Sequence, residues 1–561
     1  MQRMSGADLI IRLLVHQGID VIAGVPGGAN LPLYDALARD GRIRHVLARH
    51  EQGAGFIAQG MARTTGKPAV CIATSGPGAT NLLTAVADAK LDSVPLVCIT
   101  GQVPSALMGT DAFQEVDTYG MSVPVTKHNF LVRSVEELFA VIPAAFRIAS
   151  NGRPGPVWVD VPKDVQAARV EVRHRPESPR TEAPRSYDGE VLGRAAAMIN
   201  AARHPILYLG GGVVQGGATA LVRELAERAS IPAAMTLMGL GAIPADHPLS
   251  LGMLGMHAAR FTNLALEACD LLIALGARFD DRATGKLADF CPRAKVIHVD
   301  IDPSELGKIR AAHVAIEGDV RQVLEMLVPR VRPDPRQAWI RRVDGLKRDY
   351  PLCMPRIEDP LSPYGLIINA AACADDDTIV VTDVGQHQMW AAQAYPLRRP
   401  RRWLTSGGLG TMGFGLPAAI GAALARPEER VFCVTGDGSL LMNIQELATA
   451  VDEGLNIKIL LMNNNALGLV NQQQELFYEK RIYESHFRTR VDFLRVASGF
   501  GMPGFDLGTS ENPLATLREA LSGPGPCLIH VPIDSTEKVY PMVPPGSANK
   551  NMIGGESRAV A

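Results

Sequence analysis

Two short segments near residue 430, each followed by a polar residue, constrain the fold of this chain most strongly. Residues 430–435 (RVFCVT) and 457–462 (IKILLM) are rich in branched apolar side chains, as buried parallel strands are. Between them, the apolar residues of segment 442–451 recur at helical spacing. A crossover of this kind brings both strand ends to one edge of a parallel sheet, where α/β proteins bind ligands. The segment therefore predicts a ligand site on a doubly wound sheet.

The residues that follow these two strands suit a metal-bound diphosphate. Asp437 stands in a GDGS turn and Asn464 in an NNN run, so the sheet edge offers carboxylate, amide and backbone carbonyl oxygens. Mg²⁺ prefers such oxygen ligands and keeps water or phosphate in its other positions. Gly436 and Gly438 let the backbone approach a ligand closely, and the start of the following helix favours an anion. A single GDG is a common turn, but GDGS with the Asn run across a βαβ unit is far more specific.

Bulk properties exclude several classes of protein. A chain of 561 residues is too long for one core and predicts about three domains. The net charge of −2 offers no footprint for nucleic acid. The 8 cysteines include no CxxC motif, which favours reduced thiols in the cytosol. No apolar stretch is long enough to cross a bilayer, and the N-terminal amphipathic helix, with Ser5 as its cap, lacks the features of a signal peptide. We therefore expect a cytoplasmic protein.

Alternating strand and helix patterns divide the chain into three α/β blocks of the doubly wound, parallel-sheet class. Aperiodic stretches rich in Pro, Arg and acidic residues separate them. The predicted divisions are an N-terminal domain at 1–165, a linker at 166–189, a central domain at 190–330, a linker at 331–360, a C-terminal domain at 361–535 and a tail at 536–561.

Motifs throughout the chain resemble one enzyme family. They are GVPGGANLPLYDAL, RHEQGAGFIAQGMART, SGPGATN, GTDAFQEVD, GRPGPVWVDVPKDV, LGMLGMH, GARFDDRATGK, TSGGLGTMGFGLPAAIGA, the GDGS and NNN pair, and VYPMVPPG. Together they resemble the catalytic large subunit of acetohydroxyacid (acetolactate) synthase, a thiamine-diphosphate enzyme, especially the bacterial isozyme I type. The resemblance covers residues 5 to 550 or so.

The resemblance implies a reaction. The family decarboxylates pyruvate on thiamine diphosphate and condenses the remaining hydroxyethyl unit with a second 2-oxo acid. Pyruvate as acceptor gives 2-acetolactate and 2-oxobutanoate gives 2-aceto-2-hydroxybutanoate, in the first common step of valine, leucine and isoleucine biosynthesis. A flavin-dependent pyruvate oxidase and a 2-oxo acid decarboxylase are the alternative enzymes, and a non-catalytic paralogue is disfavoured because Glu51, Asp437 and Asn464 are all present.

The same resemblance carries over residues that bind thiamine diphosphate and Mg²⁺. Glu51, in RHEQGAG, is expected to protonate the pyrimidine ring, although read alone it is an ordinary surface glutamate paired with Arg49. Met412 is expected to wedge the cofactor into a bent shape, although read alone it is core packing. The other expected cofactor residues are Pro26, Gly28, Gly385, Gln386, His387, Gly410, Gly436, Gly438, Ser439, Gly468 and Leu469, with Gln114 as a further catalytic residue. The metal ligands are Asp437, Asn464 and the carbonyl of Ala466.

The central block resembles a flavin-binding domain. Its glycine-rich LYLGGGVVQGG segment is weak evidence alone, because a tight turn would explain it. The FAD is expected to be structural, since the carboligation involves no net redox change. The expected FAD residues are Arg153, Gly211, Gly212, Thr236, Leu237, Met256, His257, Gly276, Ala277, Arg278, Asp280, Arg282, Asp300, Ile301 and Asp319.

The expected substrate pocket contains one departure from the family. Arg282 is a candidate for binding the acceptor carboxylate, with an ion pair to Asp280 or Asp281 as an equal alternative. Gln473 stands where the synthases usually have tryptophan, and loss of that apolar wall predicts weak discrimination between 2-oxobutanoate and pyruvate. The remaining expected pocket residues are Ala29, Phe113, Lys163 and Leu469.

The resemblance also implies partners. In the family, the glutamate and the diphosphate site of one active centre come from different subunits, so we expect a homodimer or a tetramer built from it. A small regulatory subunit is expected as well, because nothing in this chain resembles a sensor domain.

Overall fold

Three parallel sheets form the framework of the protein. The computed structural model describes residues 2–172 and 187–555, and within them lie three six-stranded sheets whose strand pairings are all parallel. Each sheet is flanked by helices, which confirms the predicted class of three doubly wound α/β domains. Within the same residues, no helix is both long and apolar enough to cross a membrane.

The first sheet belongs to the N-terminal part of the chain. Its strands are β2 (Val21–Gly24), β3 (Arg44–Leu47), β4 (Ala69–Ala73), β5 (Leu96–Gln102), β6 (His128–Leu131) and β7 (Pro156–Pro162), and two further strands, β1 (Gln2–Ser5) and β8 (Arg169–Val172), lie outside this sheet. Its helices are α1 (Gly6–His16), α2 (Leu31–Asp40), α3 (Glu51–Thr65), α4 (Pro77–Leu91), α5 (Thr118–Ser122), α6 (Leu138–Ser150) and α7 (Lys163–Ala167). The sheet order is β3-β2-β4-β5-β7-β6. Ser5 caps α1 in a capping box with Asp8, as the sequence predicted.

The segment predicted as a linker at 166–189 is partly ordered as secondary structure. Within it, β8 pairs antiparallel with β1 outside the six-stranded sheet. Alternating residues of β8 are less exposed than their neighbours, but four residues are too short a run for periodicity to reveal. Residues 173–186 of this segment lie outside the described residues.

The second sheet lies in the central part. Its strands are β9 (Pro205–Leu209), β10 (Ala233–Met235), β11 (Ser250–Met253), β12 (Leu271–Leu275), β13 (Lys295–Asp300) and β14 (Val314–Glu317). The accompanying helices are α8 (Gly189–Ala201), α9 (Gly211–Gln215), α10 (Thr219–Ala229), α11 (Arg260–Ala268), α12 (Asp281–Thr284), α13 (Val320–Leu327) and α14 (Gln337–Asp349). The order β11-β10-β9-β12-β13-β14 places β9 and β12 in the middle, where both are completely buried.

The third sheet contains the strands around residue 430. Its strands are β15 (Ile379–Thr382), β16 (Trp403–Leu404), β17 (Val431–Gly436), β18 (Ile457–Asn463), β19 (Gly504–Asp506) and β20 (Cys527–Pro532), in the order β16-β15-β17-β18-β20-β19. Its helices are α15 (Pro363–Ala372), α16 (Gln386–Ala394), α17 (Gly415–Ala425), α18 (Asp437–Leu440), α19 (Glu446–Asp452), α20 (Gly468–Phe477), α21 (Phe493–Gly499) and α22 (Pro513–Ser522).

The prediction of a single helix between β17 and β18 is wrong in one respect. Two short helices, α18 and α19, replace a single one, and Met442 in the break between them is 51% exposed. Leu447 faces the core as expected, whereas Ala448 and Val451 are only half-buried. Helical spacing identified the correct element, but its apolar stripe begins a turn later than the sequence suggested.

A close helix pair joins the N-terminal and C-terminal parts. A Cβ atom on Gly60 of α3 would lie 2.1 Å from the carbonyl oxygen of Ala418, and one on Gly421 of α17 would lie 1.9 Å from that of Ile57. Glycine at these two positions therefore lets the backbones touch. The rings of Phe56 and Phe414 close the same interface edge to face at 5.4 Å.

Candidate active site

The carboxylate of Asp437 lies at the edge of the third sheet. It follows β17, whose Gly436 pairs with Met462 of the neighbouring β18, so the residues after both strands share one edge. Asp437 is 3% exposed, and burial raises the pKa of its carboxyl to about 6. Hydrogen bonds from backbone N–H groups, including those of Gly438 and Ala466, act in the opposite direction. A buried carboxylate with this environment is stabilised in its charged form by a bound cation.

Asn464 is held beside it by a network of amides. Its Nδ2 donates to Oε1 of Gln386 at 3.1 Å, while its Oδ1 accepts from the backbone N–H of Ala466 at 3.2 Å. Gly468 packs against this pair so closely that a Cβ atom would lie 2.1 Å from Oε1 of Gln386. Only glycine fits there, because Gln386 and Asn464 already fill the space.

His387 presents a buried nitrogen without a protein partner. Its Nε2 has no hydrogen-bond partner among the described residues, and burial lowers the pKa of the ring to about 3. The imidazole is therefore neutral at pH 7. Gly436 leaves room for it, since a Cβ atom there would lie 2.9 Å from its Nδ1. An orphaned polar atom in a cleft of this kind is suited to a bound polar ligand.

Most residues predicted to bind the diphosphate end of the cofactor line one small cavity. The cavity measures about 60 Å³. Those of its lining residues that the sequence had predicted are Gly385, Gln386, His387, Met412, Gly436, Asp437, Gly438, Ser439, Asn464, Ala466, Gly468 and Leu469. Gly410 does not line it and instead borders the larger cavity described below.

Glu51 belongs to a separate cluster on the N-terminal part. It begins α3, and its Oε2 accepts a hydrogen bond from Nδ2 of Asn81 at 2.9 Å. A Cβ atom on Gly78 would lie 3.3 Å from its Oε1, so the start of α4 approaches the carboxylate closely. The alternative partner Arg49 pairs instead with Asp452, which leaves Glu51 without that ion pair.

The other N-terminal candidates lie in two loops, one after β2 and the other around Gln114. The backbone N–H of Ala29 donates to Oγ1 of Thr74 at 3.2 Å, and Pro26 and Gly28 of the same loop are exposed. The backbone of Gln114, at φ 59°, lies against Gly76. Within one chain, neither these residues nor Glu51 line the small cavity.

A second cavity of about 630 Å³ lies where the three parts meet. It is lined by every residue predicted to bind FAD, namely Arg153, Gly211, Gly212, Thr236, Leu237, Met256, His257, Gly276, Ala277, Arg278, Asp280, Arg282, Asp300, Ile301 and Asp319. Cofactor pockets typically measure about 300–1,000 Å³. The volume, and the absence of side chains on Gly211, Gly212 and Gly276, fit a large, elongated ligand.

The polar residues of this cavity are fixed by neighbours. Arg153 donates through Nη1 to Asp302 at 3.1 Å and to Glu305 at 2.8 Å. Asp280 and Asp319 cap α12 and α13 through their side chains. Burial raises the pKa of Asp300 to about 6.

Three residues predicted to contact the substrate, Leu469, Gln473 and Arg282, line the larger cavity. Leu469 lines both cavities, and Gln473, Met256 and Arg282 line the larger one. The side chain of Arg282 is 65% exposed and lies 3.8 Å from Asp281, so the alternative ion pair is weak. Asp280 is used instead as a helix cap. Within one chain, the guanidinium thus remains available for a ligand.

Three pocket candidates stand apart from both cavities, one of them Ala29. Phe113 is 88% exposed, and Lys163 begins α7 without lining either cavity. Two further residues had no predicted role: Asn81, which donates a hydrogen bond to Glu51, and Asp92, which borders the large cavity. Asn81 ends the SGPGATN motif, which could have indicated it, whereas Asp92 had no signal because it acts through contacts with a distant segment.

Comparison with known proteins agrees with this architecture along the whole chain. Three family models match: "Thiamine pyrophosphate enzyme, N-terminal TPP binding domain" at residues 4–121, "central domain" at 192–327 and "C-terminal TPP binding domain" at 383–531. The acetolactate synthase isozyme 1 large subunit of Escherichia coli (strain K12) is 62% identical over 99% of this chain and 98% of its own length. The isozyme 2 large subunit of the same organism is 48% identical over 98% of this chain and 99% of its own. The acetolactate synthase large subunit of Parasynechococcus marenigrum is 45% identical over 99% and 91%. The chain therefore belongs to the thiamine pyrophosphate enzymes and, among them, to the acetolactate synthase large subunits.

Proposed function

We propose that this chain is the catalytic subunit of an acetolactate synthase. It joins two molecules of pyruvate into 2-acetolactate with loss of CO₂, and joins pyruvate to 2-oxobutanoate to give 2-aceto-2-hydroxybutanoate. The observation that carries the proposal is the 62% identity to a large subunit of that name over nearly the full length of both chains. These products would serve the biosynthesis of branched-chain amino acids.

Asp437, Asn464 and the carbonyl of Ala466 would hold Mg²⁺ and, through it, the diphosphate. Their donor set is all oxygen, which is the chemistry that Mg²⁺ selects. The unpartnered Nε2 of His387 and the glycines Gly436 and Gly438 fit a polar ligand that approaches the backbone closely. Bound thiamine diphosphate supplies the carbon centre that accepts the electron pair when CO₂ leaves.

Glu51 is proposed to hold a proton at the pyrimidine ring of the cofactor. Asn81 occupies one carboxylate oxygen of Glu51, which fixes the direction of the other. A fixed carboxylate beside a ring nitrogen stabilises the protonated ring, as a general acid or base must. Met412, which lines the small cavity, would supply the apolar surface under the bound cofactor.

A complete centre is proposed to need two chains. Within one chain, Glu51 does not line the small cavity that contains Asp437. A partner chain would therefore bring the second half of each active centre. Large apolar side chains near both halves support this, because Phe113 is 88%, Leu31 53% and Val470 47% exposed. The "large subunit" in the relatives' names also favours a small regulatory partner, which affinity purification of the native complex would test.

The 630 Å³ cavity is proposed to hold FAD as a structural cofactor. Its glycines would admit a pyrophosphate close to the backbone, beside Arg153, which Asp302 and Glu305 hold in place. Beside it, Arg282 would bind the carboxylate of the acceptor, while Leu469 and Gln473 form the wall against its alkyl group. Gln473 offers less apolar surface than tryptophan, so the preference for 2-oxobutanoate should be weak.

A product assay tests the function directly. Purified protein is given pyruvate alone or with 2-oxobutanoate, each with and without FAD, in the presence of thiamine diphosphate and Mg²⁺. Acetoin formed from the product after acid treatment is the expected result. Acetaldehyde would indicate a decarboxylase and hydrogen peroxide an oxidase, and either as the main product would refute the proposal.

A further inference from the structure

Three side chains of the N-terminal part, Arg63, Asp88 and Asp92, form a buried ionic network beside the large cavity. Nη2 of Arg63 lies 3.1 Å from Oδ1 of Asp88 and 2.8 Å from Oδ2 of Asp92, and no side chain in the network is more than 8% exposed. One guanidinium balances only one of two carboxylate charges, and burial and the nearby Asp92 raise the pKa of Asp88. Such a charge is costly to bury unless further donors satisfy it.

The first set of donors comes from the C-terminal part of the chain. The backbone N–H of Gly407 donates to Oδ2 of Asp92 at 3.0 Å, and that of Gly408 donates to Oδ1 at 2.7 Å. A Cβ atom on Gly408 would lie 2.9 Å from both Oδ1 of Asp92 and Cβ of Leu91. The end of α4 therefore packs so closely against this backbone that no side chain fits between them.

Asp88 holds the same segment a few residues further on. Its Oδ2 accepts from Oγ1 of Thr411 at 2.8 Å and from the hydroxyl of Ser406. The backbone N–H of Thr411 closes the loop by donating to Oγ of Ser406 at 2.8 Å. Arg63 contributes as well, since its Nη1 donates to the carbonyl of Thr405 at 3.0 Å. Residues 405–411 are thus tied to the N-terminal part at both ends.

This segment leads directly into both cavities. Ser406, Gly407 and Gly410 line the large cavity, and Met412 lines the small one. Met412 follows the anchored Thr411 without an intervening residue, so a shift of Thr411 moves Met412 with it. Misplacement of a positioned group by about 1 Å can lower activity by about 10²-fold.

We propose that Asp88 and Asp92, neutralised in part by Arg63, are positioning residues that set the location of Met412 at the cofactor cleft. The inference rests on the proposed binding of thiamine diphosphate at that cleft. Hydrogen bonds to the side chains of Asp88 and Asp92 orient residues 405–411, which have no strand or helix of their own to fix them. The N-terminal part thereby shapes the cofactor site formed by the C-terminal part of the same chain.

Replacement of Thr411 provides the sharpest test. Thr411→Val keeps the shape of the side chain but removes the hydroxyl that donates to Asp88, whereas Thr411→Ser keeps the hydroxyl. The dissociation constant of thiamine diphosphate is measured in saturating Mg²⁺ without substrate, by the change in tryptophan fluorescence, to which Trp390 contributes from the wall of the small cavity. Loss of the hydrogen bond to Asp88 predicts a rise of about 10-fold for Thr411→Val. For Thr411→Ser we expect a change of less than about 2-fold, since the hydroxyl is retained.

A double-mutant cycle with Met412→Ala separates positioning from general stabilisation. If Thr411 acts through Met412, Thr411→Val should raise the dissociation constant less than about 3-fold in the Met412→Ala background. Equal effects in both backgrounds, or an unchanged dissociation constant with a lowered thermal midpoint, would overturn the proposal. Asp92→Asn is the second variant, and it should also raise the dissociation constant.

The measurement is independent of the product formed. A wild-type protein that binds thiamine diphosphate but makes no acetolactate would refute the proposed function and leave the positioning role testable. If the wild-type protein makes acetolactate and Thr411→Val leaves the dissociation constant of thiamine diphosphate unchanged, the positioning role alone is refuted.

Discussion

Nδ2 of Asn464 donates a hydrogen bond to Oε1 of Gln386 at 3.1 Å, and this contact orients the proposed metal ligand. Gln386 is itself fixed, because its Nε2 donates to Oε1 of Gln472 and to the carbonyl of Glu537, each at 3.0 Å. The amide oxygen of Asn464 is therefore turned away from Gln386 and is free for a cation in addition to the N–H of Ala466. Groups that orient metal ligands in this way contribute strongly to affinity.

Gln386→Leu should weaken Mg²⁺ binding by about 10- to 100-fold, because Asn464 loses the acceptor that orients it. Titration of Mg²⁺ at saturating thiamine diphosphate measures the change. Gln393→Leu is the matched control, since Gln393 lies on the same helix but bonds Tyr364 and the carbonyls of His257 and Tyr540. Equal losses in both variants would contradict the proposed role of Gln386.

Glu51→Gln should lower kcat by about 10²- to 10⁴-fold, since an amide cannot exchange a proton with the cofactor ring. Binding of thiamine diphosphate should change far less than kcat. Initial rates of acetolactate formation and a cofactor titration measure both. Glu453→Gln, which removes a surface partner of Arg44, should retain wild-type rates. A Glu51→Gln variant with normal turnover would show that the carboxylate has no part in the chemistry.

Gln473→Trp should raise the preference for 2-oxobutanoate over pyruvate by about 10- to 200-fold, the range that one methylene in an apolar pocket supplies. Competition between the two acceptors, with both products quantified, gives the ratio. Gln473→Ala removes the amide without building an apolar wall and should leave the preference weak. A strong preference already present in the wild-type protein would contradict the interpretation of Gln473.

Gly276→Ala should abolish FAD binding. Gly276 has φ 52°, and a Cβ atom there would lie 2.7 Å from Cα of Gly212. The added methyl group would thus push the two glycine-rich turns apart. Gly217→Ala is the control, because Gly217 has φ 66° but open space around it. The control suffers only the backbone strain of about 1–2 kcal/mol and should keep its flavin absorbance. Loss of FAD from both variants would indicate strain rather than contact.

Asp160 should make the stability of the wild-type protein depend on pH. Its carboxylate accepts from Thr100 at 2.6 Å and from Gln102 at 3.0 Å, and burial raises its pKa to about 7. The folded pKa lies above the model-compound value of 3.8, so the stabilising contribution of the protonated form is complete below pH 4. It is lost progressively as the pH rises through about 7.

Asp160→Asn removes this titration. Relative to the variant, the wild-type protein should lose stability on the order of 2 kcal/mol between pH 5 and pH 8. Thermal midpoints of both proteins, recorded at matched scan rates across that range, report the difference. Parallel pH profiles for the two proteins would exclude Asp160 as the titrating group.

The fold class followed from local patterns that the tertiary structure did not override. The branched apolar runs at β17 and β18 predicted neighbouring parallel strands, because a strand buried on both faces has no need for polar alternation. The helix between them was predicted less well. Met442 has helical spacing, but it lies in the break between α18 and α19 and is exposed to solvent. Strand β8 was not predicted, because its partner β1 is distant in sequence.

The chemistry available at the candidate site could be predicted from local sequence patterns. Asp437, Asn464 and the surrounding glycines are local to strand ends, where the order of elements dictates position. Only the tertiary structure decided which residues share a cavity, that Leu469 borders both cavities, and that Arg63, Asp88 and Asp92 hold residues 405–411. These relationships join segments hundreds of residues apart through packing and buried charge, and no spacing within one segment encodes them.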